Sequence, residues 1–160
     1  MLNKNQNIAI YAEGSMGTLF AKMAEGVIRY SSNPVICVID SCHAGKSVSE
    51  ICSIDKKIPI VGTIEQALNL NPEVLLLGTA PSGGRLPESW IKVIDKAVEN
   101  GLSVVNGLHD SVNEIFSCKL SPSQWIWDIR QPVNDKPKIG AARASFLSNE
   151  RILMIGTDMA

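Results

Sequence analysis

Apolar residues fall into five short runs over the first two-thirds of the chain, at residues 8–12, 35–39, 58–61, 74–79 and 102–106. Each run is dense in Val, Ile and Leu and lacks polar alternation, the mark of strands buried on both faces. Between the runs the spacing changes. Leu19, Phe20, Met23, Ala24, Val27 and Ile28 recur every three or four residues, as the apolar stripe of one helix does. Pro34 ends that helix by Asn33, because the residue before a proline is driven out of the α region. Thr63 and Gln66 have the form of a capping box and open a short helix through Leu70. Pro87 suits a first helical turn, Trp90, Ile91, Ile94, Ala97 and Val98 make its stripe, and Gly101 suits its C′ position. Strand and helix in alternation predict right-handed crossovers and an α/β fold: a Rossmann-like, doubly wound, mostly parallel sheet.

After Asn106 the pattern loosens. Residues 112–118 read as a short helix and 125–129 as a strand, with Trp125 and Trp127 on one face as a packed core edge. The stretch QPVNDKPK at 131–138 carries two prolines and mixed charge, so it reads as a linker. The predicted organisation is a domain at 1–130, a linker at 131–151, and at 152–160 the first strand of a second unit. A strand parted from its sheet is expected to be disordered, to dock on the first domain's edge or to pair with a second copy of the chain, and a homo-oligomer is the expected assembly.

Composition narrows the class. A length of 160 residues suits one domain, and 45% hydrophobic against 19% charged residues describes a globular protein. A net charge of −1 removes the electrostatic case for nucleic acid or an anionic membrane. No apolar run approaches the roughly 20 residues that cross a bilayer. The polar start has no apolar segment behind it, so export by a signal peptide is not expected. Cys37, Cys42, Cys52 and Cys118 form no C-x-x-C pair, and neither histidine stands at zinc-ligand spacing. The expectation is a reduced, metal-free, cytoplasmic protein that takes a small-molecule substrate.

Candidate chemistry gathers after the strands, at the edge where open parallel sheets bind ligands. In AEGSMGTLF (12–20), Gly14 and Gly17 let backbone N–H groups approach a phosphate, or they make a tight turn. The first glycine of the dinucleotide fingerprint is missing there. Together with Asp40, which can accept bonds from a ribose, the loop leaves an NAD(P)-dependent epimerase or dehydrogenase as an alternative. DSCHAGKS (40–47) combines Asp40, His43 and Lys46, either as an anion pocket with His43 carrying a proton or as a solvated loop. In APSGGRLPES (80–89), Gly83 and Gly84 can form an anion-binding nest, and Arg85 can fork onto a carboxylate or phosphate. NGLHD (106–110) sets His109 beside Asp110 for acid–base work, or else Asp110 caps the next helix. At the end of the chain a strand runs into Gly156, Thr157 and Asp158, as phosphate-binding loops begin.

In this order, GGRLP at 83–87, GLHD at 107–110, WDIR at 127–130 and ILMIGTDMA at 152–160 resemble the D-glutamate N-acetyltransferase-like family, formerly a domain of unknown function. The resemblance implies a Rossmann-like N-terminal domain followed by a P-loop domain similar to dethiobiotin synthetase. It implies acetyl-CoA as co-substrate, the amine of a D-glutamate-like amino acid as acceptor, and room for a nucleotide in the further P-loop domain. In the family the G-T-D-x-A loop runs on into V-G-K, whereas this sequence stops at Ala160, so Gly156, Thr157 and Asp158 would be a truncated P-loop. On that reading the whole protein is an enzyme, the 160 residues alone are inactive, and the C-terminal P-loop domain is a partner. A non-catalytic ligand-binding or assembly module of a P-loop protein is the remaining alternative.

Overall fold

The computed structural model describes residues 2–131, 146–148 and 150. Six strands form one sheet: β1 (Ile8–Tyr11), β2 (Val35–Ile39), β3 (Ile60–Val61), β4 (Val74–Leu77), β5 (Ser103–Asn106) and β6 (Ile126–Asp128). Their order is β3-β2-β1-β4-β5-β6 and every pairing between them is parallel. β1 lies at the centre, with Tyr11 level with Ile39 on one side and Leu77 on the other. The order reverses between β1 and β4, so the loops leaving these two strands diverge there.

Helices cover both faces, which explains why the strands show no polar alternation. Ile8 and Ile10 point into one core with Ala24 and Ile28 of α1 (Lys22–Tyr30) and Val48 of α2 (Val48–Ile51). Ala9 and Tyr11 point into the other. That core holds Ile64 of α3 (Ile64–Leu68), Trp90 and Ile94 of α4 (Glu88–Glu99), and Phe116 of α5 (Val112–Phe116). Gly101, at φ +88°, follows α4 at the C′ position, as expected. Trp125 and Trp127 are half-buried against the core of the first face.

Two expectations are corrected. Leu19 and Phe20 do not join the stripe of α1; they are 78% and 57% exposed. Residues 19–21 form a 3₁₀ turn, whose three residues per turn rotate these side chains off the α-helical stripe. The third strand is also shorter than the apolar run at 58–61. Pro59 has no N–H for the ladder, and Ile58 instead accepts a hydrogen bond from Val48 (2.9 Å). The expected strand at 152–155, the residues Gly156, Thr157 and Asp158, and most of the expected linker lie outside the described residues.

Gly78 seats α1 on the sheet. Its carbonyl accepts from Ala24 N at 2.8 Å, and a Cβ there would collide with the Ile10 side chain and lie 2.9 Å from the Ala24 Cβ. Only the absent side chain lets helix and strand approach this closely. Gly78→Ala is therefore expected to cost about 1–3 kcal/mol of stability, as overpacking does. Urea denaturation checks this, and an unchanged midpoint would show that α1 shifts freely.

Candidate functional site

All the strand-end loops open on one edge of the sheet, and two buried or half-buried carboxylates organise them. Asp40, fully buried at the end of β2, is bonded by four donors. Its Oδ1 accepts from Gly14 N (3.1 Å) and Cys42 N (3.0 Å), and its Oδ2 accepts from Met16 N (3.2 Å) and pairs with His43 Nδ1 (3.0 Å). The N–H groups that Gly14 and Gly17 were expected to aim at a phosphate thus include two, at residues 14 and 16, that face the chain's own carboxylate. The two features behind a nicotinamide site satisfy each other, and Asp40 has no oxygen to spare for a ribose. Glu13 adds a second strap between the loops by accepting from the backbone and hydroxyl of Ser41.

The other carboxylate is Asp128, at the end of β6. It accepts from Ser111 Oγ (2.7 Å), Val112 N (3.0 Å), Asn113 N (3.0 Å) and Asn106 Nδ2 (2.8 Å), which caps the start of α5. The same asparagine donates to the Asp110 carbonyl (2.8 Å).

This side of the edge carries the open chemistry. Arg85 Nη1 meets Asp110 Oδ1 at 2.6 Å, and Leu86 N donates to Asp110 Oδ2 at 2.7 Å. The Leu86 N–H first, and Arg85 second, hold the Asp110 carboxyl below the usual carboxylate range, so Asp110 is ionised and orients the loop. Gly84 does not act as an anion nest. Its N–H donates to Pro81 O (2.8 Å), and the His109 ring lies where a Gly84 Cβ would be. His109 is exposed, and among the described residues its ring nitrogens have no hydrogen-bond partner. Arg130 joins the cluster through Nε, which donates to Gly107 O at 2.7 Å.

The edge therefore holds two groups rather than one. His43 follows β2 and His109 follows β5, three strand spacings apart, about 14 Å. Lys46 lies farther off, where its carbonyl accepts from Ile60 of the edge strand β3 (2.8 Å), so it does not share a site with Arg85. Cys37 is a core thiol, pushed up to about 11 by burial, and is not a nucleophile. Three roles escaped the sequence reading. Ser47 and Glu50 form a capping box whose S-x-x-E signature was legible, with Ser47 N donating to Glu50 Oε2 at 2.6 Å. Arg130 and Asp128 act across the sheet and left no local signal.

Fold and edge together define a Rossmann-like α/β domain. Residues 41–132 match the family DUF1611_N, a domain of unknown function described as Rossmann-like, and the chain belongs to that family. It is 32% identical over 99 residues, 60% of its length, to a D-glutamate N-acetyltransferase of Pseudoalteromonas sp, and covers 29% of that relative. It is 26% identical over 145 residues, 88% of its length, to a D-glutamate N-acetyltransferase of Tritonibacter scottomollicae, and covers 39% of it. The crystal structure of a DUF1611 family protein from Anabaena variabilis ATCC 29413 superposes with a TM-score of 0.80 at 35% identity. That match covers 88% of this chain and 42% of the other. The chain thus spans well under half the length of these relatives. Among the described residues no helix is long and apolar enough to cross a membrane.

The lowered pKa of Asp110 sets a pH dependence. Its stabilising effect is complete above the unfolded carboxyl's pKa and is lost as pH falls through the lower, folded value. Asp110→Asn is expected to melt below wild type at pH 7, with the gap closing in acid below the usual carboxylate range. Thermal melts across pH read this out, and a gap that persists in acid would mean the charge is not what matters.

Proposed function

We propose that this chain is the N-terminal domain of an acetyl-CoA-dependent N-acetyltransferase acting on a D-glutamate-like amino acid. The observation that carries this reading is the match to two relatives named D-glutamate N-acetyltransferase, one of them over 88% of the chain. The cluster after β4, β5 and β6 has groups suited to that chemistry. Arg85 and Arg130 flank the loop at 107–110, and a dicarboxylic amino acid calls for two cations. One Arg85 nitrogen is engaged by Asp110, which fixes the side chain and leaves further N–H groups for a substrate carboxylate.

His109 is the proton acceptor in this scheme. The substrate ammonium sheds one proton to the imidazole, and the freed amine attacks the thioester carbonyl. The N–C bond forms as the C–S bond breaks, and the second nitrogen proton goes to the departing thiolate. His109 suits this task because its ring is exposed and unpartnered among the described residues, whereas the His43 ring is tied to buried Asp40.

In the protein of full family length, Arg85→Ala is expected mainly to weaken substrate binding, by ~1.5–3 kcal/mol for a lost charge-assisted bond. His109→Ala is expected to lower turnover on the order of 10²-fold or more. Steady-state rates with acetyl-CoA and D-glutamate decide this. Wild-type rates in both variants would move the chemistry away from this edge.

A further inference from the structure

Between α3 and α4 the carboxyl ends of β1 and β2 open into a hollow of about 610 Å³, within the size range of small-molecule sites. Tyr11, Ile39, Ile64 and Trp90 make its apolar walls. The Tyr11 and Trp90 rings meet edge to face, with centroids 5.1 Å apart and planes at 83°. Both residues are more than nine-tenths buried, at 6% and 7% exposure. Among the described residues neither the phenol O–H nor the indole N–H has a hydrogen-bond partner, and both polar atoms reach the surface of the domain. Buried Tyr and Trp ordinarily find partners for these groups. The phenol is a permanent donor, since burial, with the charge of Glu13 adding to it, pushes its pKa up to about 12.

The rim supplies charge. Lys92 and Lys96 stand one turn apart on α4, both exposed, and neither forms an ion pair among the described residues. The two rim acids are otherwise engaged. Glu13 holds Ser41, while the Glu65 carboxyl is kept below the usual range by its own backbone N–H first and the Thr63 hydroxyl second. The hollow therefore offers aromatic walls, two donors without a protein acceptor among the described residues, and two exposed cations at its mouth, one of which also acts on the Glu65 carboxyl. An aliphatic chain would leave both donors unpaired, which is costly in a buried site. A free aliphatic amino acid, glutamate among them, has no flat ring to lie against the aromatic pair.

We propose that this hollow binds a purine base carried on a 3′-phosphorylated ribose, the chemistry of the nucleotide end of coenzyme A. Ring nitrogens of the base accept from Tyr11 and Trp90, and the ribose phosphate lies at Lys92 and Lys96. The choice of coenzyme A over other purine nucleotides rests on the acetyltransferase reading above. Ser89 and Trp90 at the start of α4 line the hollow, and Arg85 stands three residues before that helix, so one extended ligand can reach both.

Calorimetric titration of the chain with adenosine 3′,5′-bisphosphate, which has no thiol or acyl group, tests this. Saturable binding below about millimolar is expected, and AMP and NAD should bind at least about tenfold more weakly because each lacks the 3′-phosphate. Lys92→Gln with Lys96→Gln should weaken the bisphosphate at least about tenfold in a domain that still melts in one cooperative transition. No saturable heat, equal affinity in the double variant, or equal binding of AMP would overturn the assignment. Bisphosphate binding without acetyl transfer by the full-length protein would keep this site and sink the acetyltransferase reading. Acetyl transfer without bisphosphate binding would do the opposite.

Discussion

An ionised carboxylate taken out of water costs several kcal/mol unless its oxygens are filled by donors, and this demand shapes the carboxyl edge of the sheet. Asp40 meets it with four partners drawn from its own turn and from the loop after β1. Asp128 meets it with four partners from β5 and the start of α5. Each acid thereby ties a strand end to the loop of a neighbouring strand. A parallel sheet makes this possible because it brings every strand out on the same edge. Remove the acids and the loops lose their shared anchors, although the sheet beneath them stands on apolar packing alone.

The same demand decides where ligands can act. Around β1 and β2 the backbone N–H groups and Asp40 satisfy one another, so the glycine-bearing loop is closed to an outside phosphate. Around β4, β5 and β6 the accounts differ: Asp110 is held by Leu86 and Arg85, while the His109 ring and the outer nitrogens of Arg85 and Arg130 face outward. The hollow beside α4 is a third case, where two aromatic rings are buried while their donor atoms reach the surface without a protein partner among the described residues. Satisfied polar groups make structure, and unsatisfied ones at a concave surface make binding sites.

The family match and the fold agree on what kind of domain this is. They also frame the size of the question, because the relatives run to more than twice the length of this chain. An amine acceptor with two carboxylates and a thioester donor with a nucleotide end need separate pockets joined by a path. On the proposed reading these are the hollow and the Arg85 cluster, which both adjoin the start of α4.

Hydrophobic periodicity alone determined the strands, the parallel sheet and most of the helices, because burial on both faces demands unbroken Val, Ile and Leu runs. Local signals with short reach were equally legible, such as Thr63 ahead of α3 and Gly101 after α4. The S-x-x-E of Ser47 and Glu50 belonged to that class and went unread. What the tertiary structure alone decided was the partnering of polar groups. Asp40 looked like a ribose acceptor because sequence shows its place at a strand end but not the Gly14 and Met16 N–H groups that reach it from 24 and 26 residues away. Leu19 and Phe20 looked buried because a 3₁₀ turn and an α-helix share an apolar spacing over so few residues. Apolar burial depends on composition along a segment and is written locally. A hydrogen bond depends on direction and distance between segments, which only the folded chain sets.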